Sequence, residues 1–343
     1  MNNKSNNALT RYCRALKNRF AIKAFPKNLI WFITERCNLQ CPHCFVNTPA
    51  HKKRDEISLE QAVRFIKKSN LSHISFTGGE PTLYPGIEKL IETCLDCGIG
   101  VGLSSNGYRN QELLKSLKKI GSPIYIQVSL DGDKETHNKI RGSSRAFDDA
   151  LALISLAREQ GHRVMIIFTV SSKNIGSLKS VLRLCSYNLW PIYINFIRSS
   201  GQAKVFDKNN FIPEQKNDLT IAEMEYCYRL WQESARGYMS RLDGLSMVSK
   251  TEQVINFIKH GVWSYKCAAG INDAVMYPNG DVAICETRGI IGNLQEYDLD
   301  WKKFWDKRQE KLKTCFCQWD CAMIYSLTHS ITGLRFFLKY FLR

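Results

Sequence analysis

The first 25 residues, MNNKSNNALTRYCRALKNRFAIKAF, contain no continuous apolar run, because basic residues interrupt them throughout. This predicts neither a secretory signal nor a membrane span there. No internal repeat and no long low-complexity tract stands out, so nothing suggests a repeat architecture. Acidic residues are also in short supply, 32 Asp and Glu against 48 Lys and Arg, which leaves a formal net charge of +16. A bias of this size suits nucleic acid, anionic lipid or an acidic partner, and equally a solvated surface with basic tails. Cysteine, by contrast, is abundant at 13 residues. An odd count with no signal ahead of it predicts metal ligation in a reducing, cytoplasmic setting rather than disulfides. With 343 residues and 44% hydrophobic content the chain is globular, with room for one large domain or two ordinary ones.

From Leu29 onward, short apolar runs alternate with amphipathic segments. LIWFI (29–33), HISFT (73–77), GVGLS (100–104), IYIQVS (124–129), VMIIFTV (164–170) and PIYINFI (191–197) read as strands. Between them, helices are expected at 58–69, opened by Ser58 with Gln61 three residues on, and near 87–97, 111–120, 147–160 and 175–187. Alternation of this kind implies an α/β fold with a parallel sheet and right-handed crossovers, open or curled toward a barrel. In such sheets the chemistry collects at the carboxyl ends of the strands. TERCNLQCPHC follows the first strand, TGGEPTLYP the second and SSNG the third, while SLDG closes the fourth.

Cys37, Cys41 and Cys44 are one thiol short of a closed tetrahedral zinc site, and His43 adjoins Cys44 too directly to be aimed at the same ion. A redox pair of Cys41 and Cys44 would leave Cys37 without a role. An iron-sulfur cube held by three thiolates instead leaves one iron open to a substrate or cofactor. The C-x-x-x-C-x-x-C spacing after a first strand, with His43 ahead of the last cysteine, resembles the radical S-adenosylmethionine (SAM) enzymes. Gly78, Gly79, Glu80 and Pro81 are similar to that family's GGEP segment, which holds the methionyl amino group of SAM. Glycine suits this task because a backbone without a Cβ permits close approach by a ligand. SLDG, with His137, Arg141, Gly142 and Phe147 after it, is similar to the end of strand four in members with C-terminal cluster domains. The resemblance implies Ser129 and Asp131 near the ribose, Arg141 on the SAM carboxylate, Asn106 in place of the TNG-type asparagine and His43 lining the cofactor pocket.

Cys267 and Cys285, with Gly280 between them in VMYPNGDVAIC, resemble the start of the SPASM or twitch auxiliary-cluster domain, and Asn279-Gly280 predicts a tight hairpin. Only Cys315, Cys317 and Cys321 follow, enough for one auxiliary [4Fe-4S] cluster and not two. Zinc in the same residues is the alternative. Cys94 and Cys97 lie on one face of a predicted helix and read as packing.

Taken together, these features predict a partial (β/α)6 barrel over 28–200 with a small auxiliary-cluster domain over 263–325 containing a β-hairpin. A basic extension (1–27), a linker and helical region (201–262) and an amphipathic basic tail (326–343) complete the chain. With only about 28 residues ahead of the first strand, no leader-peptide-binding domain is expected there, and a peptide substrate stays open because such a domain can be a separate protein. LRFFLKYFLR in the tail could dock on the barrel or lie on an anionic membrane. The activity implied is reductive cleavage of SAM and hydrogen-atom abstraction from a peptide or a carbohydrate-type metabolite, with flavodoxin or ferredoxin as electron donor. A metal-stabilised, non-catalytic nucleic-acid-binding protein is the contrasting reading.

Overall fold

The computed structural model describes residues 25–44, 55–109, 118, 120–197, 218–235, 255–256, 259–260, 269–286 and 289–307. Its centre is a nine-stranded sheet. The first six strands are β1 (Asn28–Thr34), β2 (His73–Gly78), β3 (Gly100–Ser105), β4 (Tyr125–Ser129), β5 (Arg163–Val170) and β6 (Ile192–Phe196). Each pairs in parallel with its predecessor in the chain. The helices α1 (Leu59–Ser69), α2 (Ile87–Asp96), α3 (Lys134–Arg141), α4 (Ala146–Glu159) and α5 (Leu178–Tyr187) form the crossovers. The helix expected near 111–120 falls mostly outside the described residues.

Local chemistry accounts for the helix ends. The Gln61 amide donates to Ser58 Oγ at 3.2 Å while the Ser58 amide donates to Gln61 Oε1 at 3.0 Å, a reciprocal cap on α1. Helix α3 was not apparent as a separate element in the sequence. Asp133 Oδ1 accepts from the Thr136 amide at 3.0 Å, and Gly142 ends the helix at φ 70°. These two signals fix a helix only two turns long.

Strand residues alternate between two faces. On the helix side Trp31, Phe76, Leu103, Ile126, Val128 and Ile166 are buried. There Trp31 meets Phe65 edge-on at 5.4 Å and Phe76 at 5.7 Å. Helix α6 (Ile221–Ala235), within the region expected to hold a linker and a helix, packs on this core, since Trp231 is fully buried and its indole N–H donates to the Ile192 carbonyl at 3.2 Å. The short α7 (Trp301–Asp306) returns to the start of the sheet, where the Trp301 indole donates to the Pro26 carbonyl at 2.8 Å.

The predicted hairpin is present as β7 (Asp273–Met276) and β8 (Asp281–Ala283), with Gly280 at φ 84° in its turn. It is continuous with the main sheet. β7 pairs in parallel with β1, Asn28 beside Asp273 through Trp31 beside Met276, and β9 (Ile290–Asn293) extends the hairpin outward. No helix among the described residues is long and apolar enough to cross a membrane.

Asp273 opens β7 as a buried carboxyl. Oδ1 accepts from Asn28 Nδ2 at 3.2 Å, whereas Oδ2 has no partner among the described residues. Burial pushes its pKa well above the usual carboxylate range, and the Asn28 amide only partly opposes this. A raised folded-state pKa favours the protonated form, so this group's contribution is complete below the unfolded pKa and is lost as pH rises through the folded one. We expect the melting temperature of the protein to fall between pH 5 and pH 8, and Asp273→Asn to narrow that difference, as measured by thermal unfolding of both proteins at the two pH values.

Candidate active site

The chain leaving β1 lies against the end of β2 by backbone contact. The Gly79 amide donates to the Thr34 carbonyl at 2.8 Å and the Glu80 amide to the Arg36 carbonyl at 2.7 Å. A Cβ at Gly78 would stand 2.2 Å from the Thr34 oxygen, and one at Gly79 2.1 Å from the Arg36 oxygen. The two glycines thus make room for the protein's own backbone, a different reason from the ligand approach expected from sequence. Arg36 is held from below by Glu56, with Nη2 to Oε2 at 2.9 Å and Nε to Oε1 at 3.2 Å. The three-cysteine loop therefore starts from a clamped base.

Within the loop the Cys44 amide donates to the Cys41 carbonyl at 3.1 Å, a tight turn that brings the last two cysteines together. Cys41 is buried and Cys37 and Cys44 are half-buried. Two N–H donors point at sulfur: Asn106 Nδ2 lies 3.8 Å from Cys37 Sγ and Arg141 Nη1 lies 3.6 Å from Cys41 Sγ. Asn106 is itself aimed by the Tyr108 amide on its Oδ1 at 2.7 Å and by Asn38 Oδ1, 2.8 Å from its Nδ2. Burial pushes Cys37 up to about 11, with Glu80 and the two neighbouring thiols adding to it. Burial likewise raises Cys41, and Arg141 counteracts part of the effect.

Among the described residues no group of three His, Cys, Asp or Glu side chains is set to hold a single ion. The fit of a cluster here therefore rests on donor chemistry. Three thiols on one loop are the ligand set an iron-sulfur cube requires, and two of the three sulfurs already face N–H groups.

A second set of groups closes the site from the ends of β3, β4 and β5. Glu80 is fully buried. Its Oε2 accepts from the Asn106 amide at 2.8 Å and its Oε1 from the Thr82 hydroxyl at 2.8 Å, which ties β2 to β3. Burial raises its pKa against these hydrogen bonds. Asp131 is buried as well. Its Oδ2 pairs with Arg141 Nη2 and stands 3.5 Å from His43 Nε2, while Oδ1 accepts from the Thr169 amide at 2.9 Å. Burial alone would raise the Asp131 pKa, but Arg141, His43 and His137 outweigh it, and the carboxyl is held below its usual range.

His137 and Arg141, four residues apart on one face of α3, both meet Asp131, His137 at its main-chain amide and Arg141 at its carboxylate. His137 Nδ1 accepts from the Asp131 amide at 2.9 Å, and burial, followed by the Arg141 charge, lowers the ring's pKa to about 4. His43 is also lowered by burial, so both rings are neutral near pH 7 beside a formal Arg–Asp pair. Asn174 secures the turn, donating to the Asp131 and Thr169 carbonyls, each at 2.9 Å.

Residues 31–185 match the radical SAM superfamily. Over 174 residues this chain is 32% identical to the Fe-coproporphyrin III synthase of Methanosarcina barkeri, covering 47% of this chain and 43% of that protein. It is 27% identical over 159 residues to the sporulation killing factor maturation protein SkfB of Bacillus subtilis, covering 45% and 38% of the two chains. The chain thus spans less than half the length of these curated relatives. In fold it is similar to Streptococcus suis SuiB bound to its precursor peptide SuiA, with a TM-score of 0.62 at 17% identity over 89% of this chain and 70% of that one.

Within the matched segment the residues singled out in the sequence, Cys37, Cys41, His43, Cys44, Gly78 to Pro81, Asn106, Ser129, Asp131 and Arg141, all lie at the carboxyl ends of β1 to β4 or in the loops and helix after them. Two of them have partners that the motif alone did not indicate. Glu80 is engaged within the fold, and Arg141 spans Asp131 and Cys41. Cys285 is buried beyond the end of β8 against Ala269, while Cys267, Cys315, Cys317 and Cys321 and the 326–343 tail lie outside the described residues. Of the helical pair, Cys94 is packed as expected, but Cys97 is exposed because α2 ends at Asp96. Glu56, Thr169 and Asn174 had no motif to mark them.

The contact at Gly79 is steric and so can be tested alone. Gly79→Ala should cost roughly 2 kcal/mol or more of unfolding free energy, as for other forced overpacking against rigid groups. Gly121→Ala, where an added Cβ meets nothing within 4 Å, should stay near wild type in the same denaturant titration.

Proposed function

We propose that this chain is a radical SAM enzyme that holds a [4Fe-4S] cluster through Cys37, Cys41 and Cys44 and leaves the fourth iron for SAM. The observation that supports this most is the clamped cysteine loop, with N–H donors from Asn106 and Arg141 directed at two of its sulfurs, inside the segment that matches the radical SAM superfamily. When bound, cluster and cofactor would supply one-electron cleavage of the SAM sulfonium bond and a carbon radical that removes hydrogen from a substrate.

The chain's own groups have separate tasks in this reading. Arg141 offsets the negative charge of Cys41 and Asp131 together, so both can stay ionised out of water. Asn106 restrains Cys37 and, through its main-chain N–H, one oxygen of Glu80. Gly78 to Pro81, with Ser129 and Asp131, would line the face on which SAM lies, beside the neutral His43. Cys267, Cys285 and two of Cys315, Cys317 and Cys321 are proposed to bind one auxiliary [4Fe-4S] cluster. The substrate is proposed to be a peptide or a carbohydrate-type metabolite, and flavodoxin or ferredoxin the electron source.

Reconstituted anaerobically with iron and sulfide and reduced with dithionite, the protein should convert SAM to 5′-deoxyadenosine and methionine, quantified by chromatography. The Cys37→Ala, Cys41→Ala, Cys44→Ala triple variant should lose this conversion and about four irons per chain. Cleavage retained by that variant, or zinc in place of iron by elemental analysis, would exclude the proposal.

A further inference from the structure

The chain leaves β1 at Thr34, carries the three cysteines, and reaches the start of α1 through Glu56 and Ile57. No motif marks either residue, yet both meet the root of the cysteine arm. Glu56 is a half-buried carboxylate. Its Oε2 accepts from Arg36 Nη2 at 2.9 Å, and its Oε1 accepts from Arg36 Nε at 3.2 Å and from the Thr34 hydroxyl. Thr34 Oγ1 accepts in turn from the Arg36 amide at 3.1 Å. Three donors on one carboxylate, two of them in the fork of a guanidinium, fix its orientation far better than a single surface ion pair does. Entrance and exit of the arm are thereby joined one residue ahead of Cys37.

The exit is held from two further sides. Ile57 is buried, its amide donates to the Pro278 carbonyl in the hairpin turn at 2.8 Å, and its carbonyl accepts from the Tyr84 hydroxyl at 2.6 Å. Burial, and after it the Glu56 charge, pushes Tyr84 up to about 12, so the phenol keeps the proton it donates. The hairpin turn is stiff in its own right. Asn293 Nδ2 and Gln295 Nε2 both donate to the Asn279 carbonyl, at 3.0 Å and 2.9 Å, and a Cβ on Gly280 would stand 3.3 Å from Ile57 Cδ1. Stretches 34–36, 56–57, 81–84 and 278–280 thus converge on the point from which Cys37 emerges.

Chain physics says what such a joint does. Ligands of a working site must stand within about 0.5 Å of their places, and an arm tethered at one end only samples many arrangements that have to be ordered again at an entropic cost. We infer that Glu56 is a positioning residue for the cysteine arm: by tying Arg36 to the stretch held by Tyr84 and the hairpin turn, it keeps Cys37, Cys41 and Cys44 in the arrangement that a cluster fills. The inference rests on the proposed function, in which these thiols hold the [4Fe-4S] cluster. Glu56 acts only through Arg36 and Thr34. Were the carboxylate there for stability alone, its loss would loosen the fold as a whole, whereas a positioning role confines the loosening to the arm.

The test compares full-length wild-type protein with Glu56→Gln, Arg36→Gln, the double variant, and Glu60→Gln, which alters an exposed carboxylate in the first turn of α1. Hydrogen exchange read by mass spectrometry on iron-free protein should run roughly threefold faster or more over 36–44 in both single variants at the joint. It should keep the wild-type rate over 125–129, and everywhere in Glu60→Gln. The double variant should exchange no faster than the faster single, because both substitutions remove one joint. After anaerobic reconstitution, iron should pass to excess ferrozine roughly threefold faster or more from Glu56→Gln than from wild type, with the thermal unfolding midpoint unchanged. Wild-type exchange over 36–44 or wild-type iron release in Glu56→Gln overturns the inference. So does an equal rise over 125–129 or in Glu60→Gln, or a double variant whose effect is the product of the singles. Wild-type protein that takes up no iron rejects the cluster reading instead, and exchange on the iron-free proteins then decides the role of Glu56 by itself.

Discussion

The site depends on one close approach of backbone to backbone. The arm from Thr34 to Arg36 can lie on the end of β2 only because Gly78 and Gly79 carry no side chains, and two amide donors then lock it there. Everything that follows in the loop inherits this anchor. Glu56 fastens Arg36 from the other side, so Cys37 emerges from a rigid point and not from a free coil. Glu80, immediately after the glycines, carries the restraint to β3 through the Asn106 amide, and Asn106 returns it to Cys37. The circuit β1, β2, β3 and back closes on the first cysteine of the triad.

A second circuit, around Asp131, governs charge. A carboxylate with no exposure to solvent is tolerable only with a cation and several donors beside it. Arg141, the Thr169 amide and His43 meet that requirement, and Arg141 passes part of its field to Cys41. Both histidines nearby are kept neutral by burial, so the local balance is set by Arg141 against whatever negative charge the thiolates bring. Helix α3 exists to deliver this arginine. Its cap at Asp133 and its stop at Gly142 fix two turns, which put His137 and Arg141 on the face toward Asp131.

The two faces of the sheet divide the labour between stability and chemistry. Apolar positions on the helix side form one continuous core that also takes in α6 and α7 from late in the chain. Among the described residues the inner side of β2 to β4 is mostly polar and half-buried, Tyr125 apart, and an aromatic wall stands where β1 meets β7. The hairpin contributes to that wall because β7 joins β1 as a further parallel strand, so residues far apart in sequence share one lining.

Six parallel strands, the capping box of α1, the hairpin turn and the cysteine and GGEP motifs were all legible in the sequence, because each is a local pattern: period, cap, turn residue or spacing. The roles of Glu80 and Arg141 were legible only as positions. Their actual partners, Asn106 and Thr82 for the one and Asp131 and Cys41 for the other, come from strands and loops that the chain brings together by crossing over. Glu56, Thr169 and Asn174 left no mark at all, since a lone carboxylate, a main-chain N–H and an asparagine in a turn look the same whatever they face. Sequence by itself determined on which strand ends the candidate residues fall, because motif spacing and strand periodicity are local. Tertiary structure decided why the glycines are glycines, where the buried charges find their partners, and that the hairpin completes the inner wall, because each of those depends on distances between segments that sequence order does not encode.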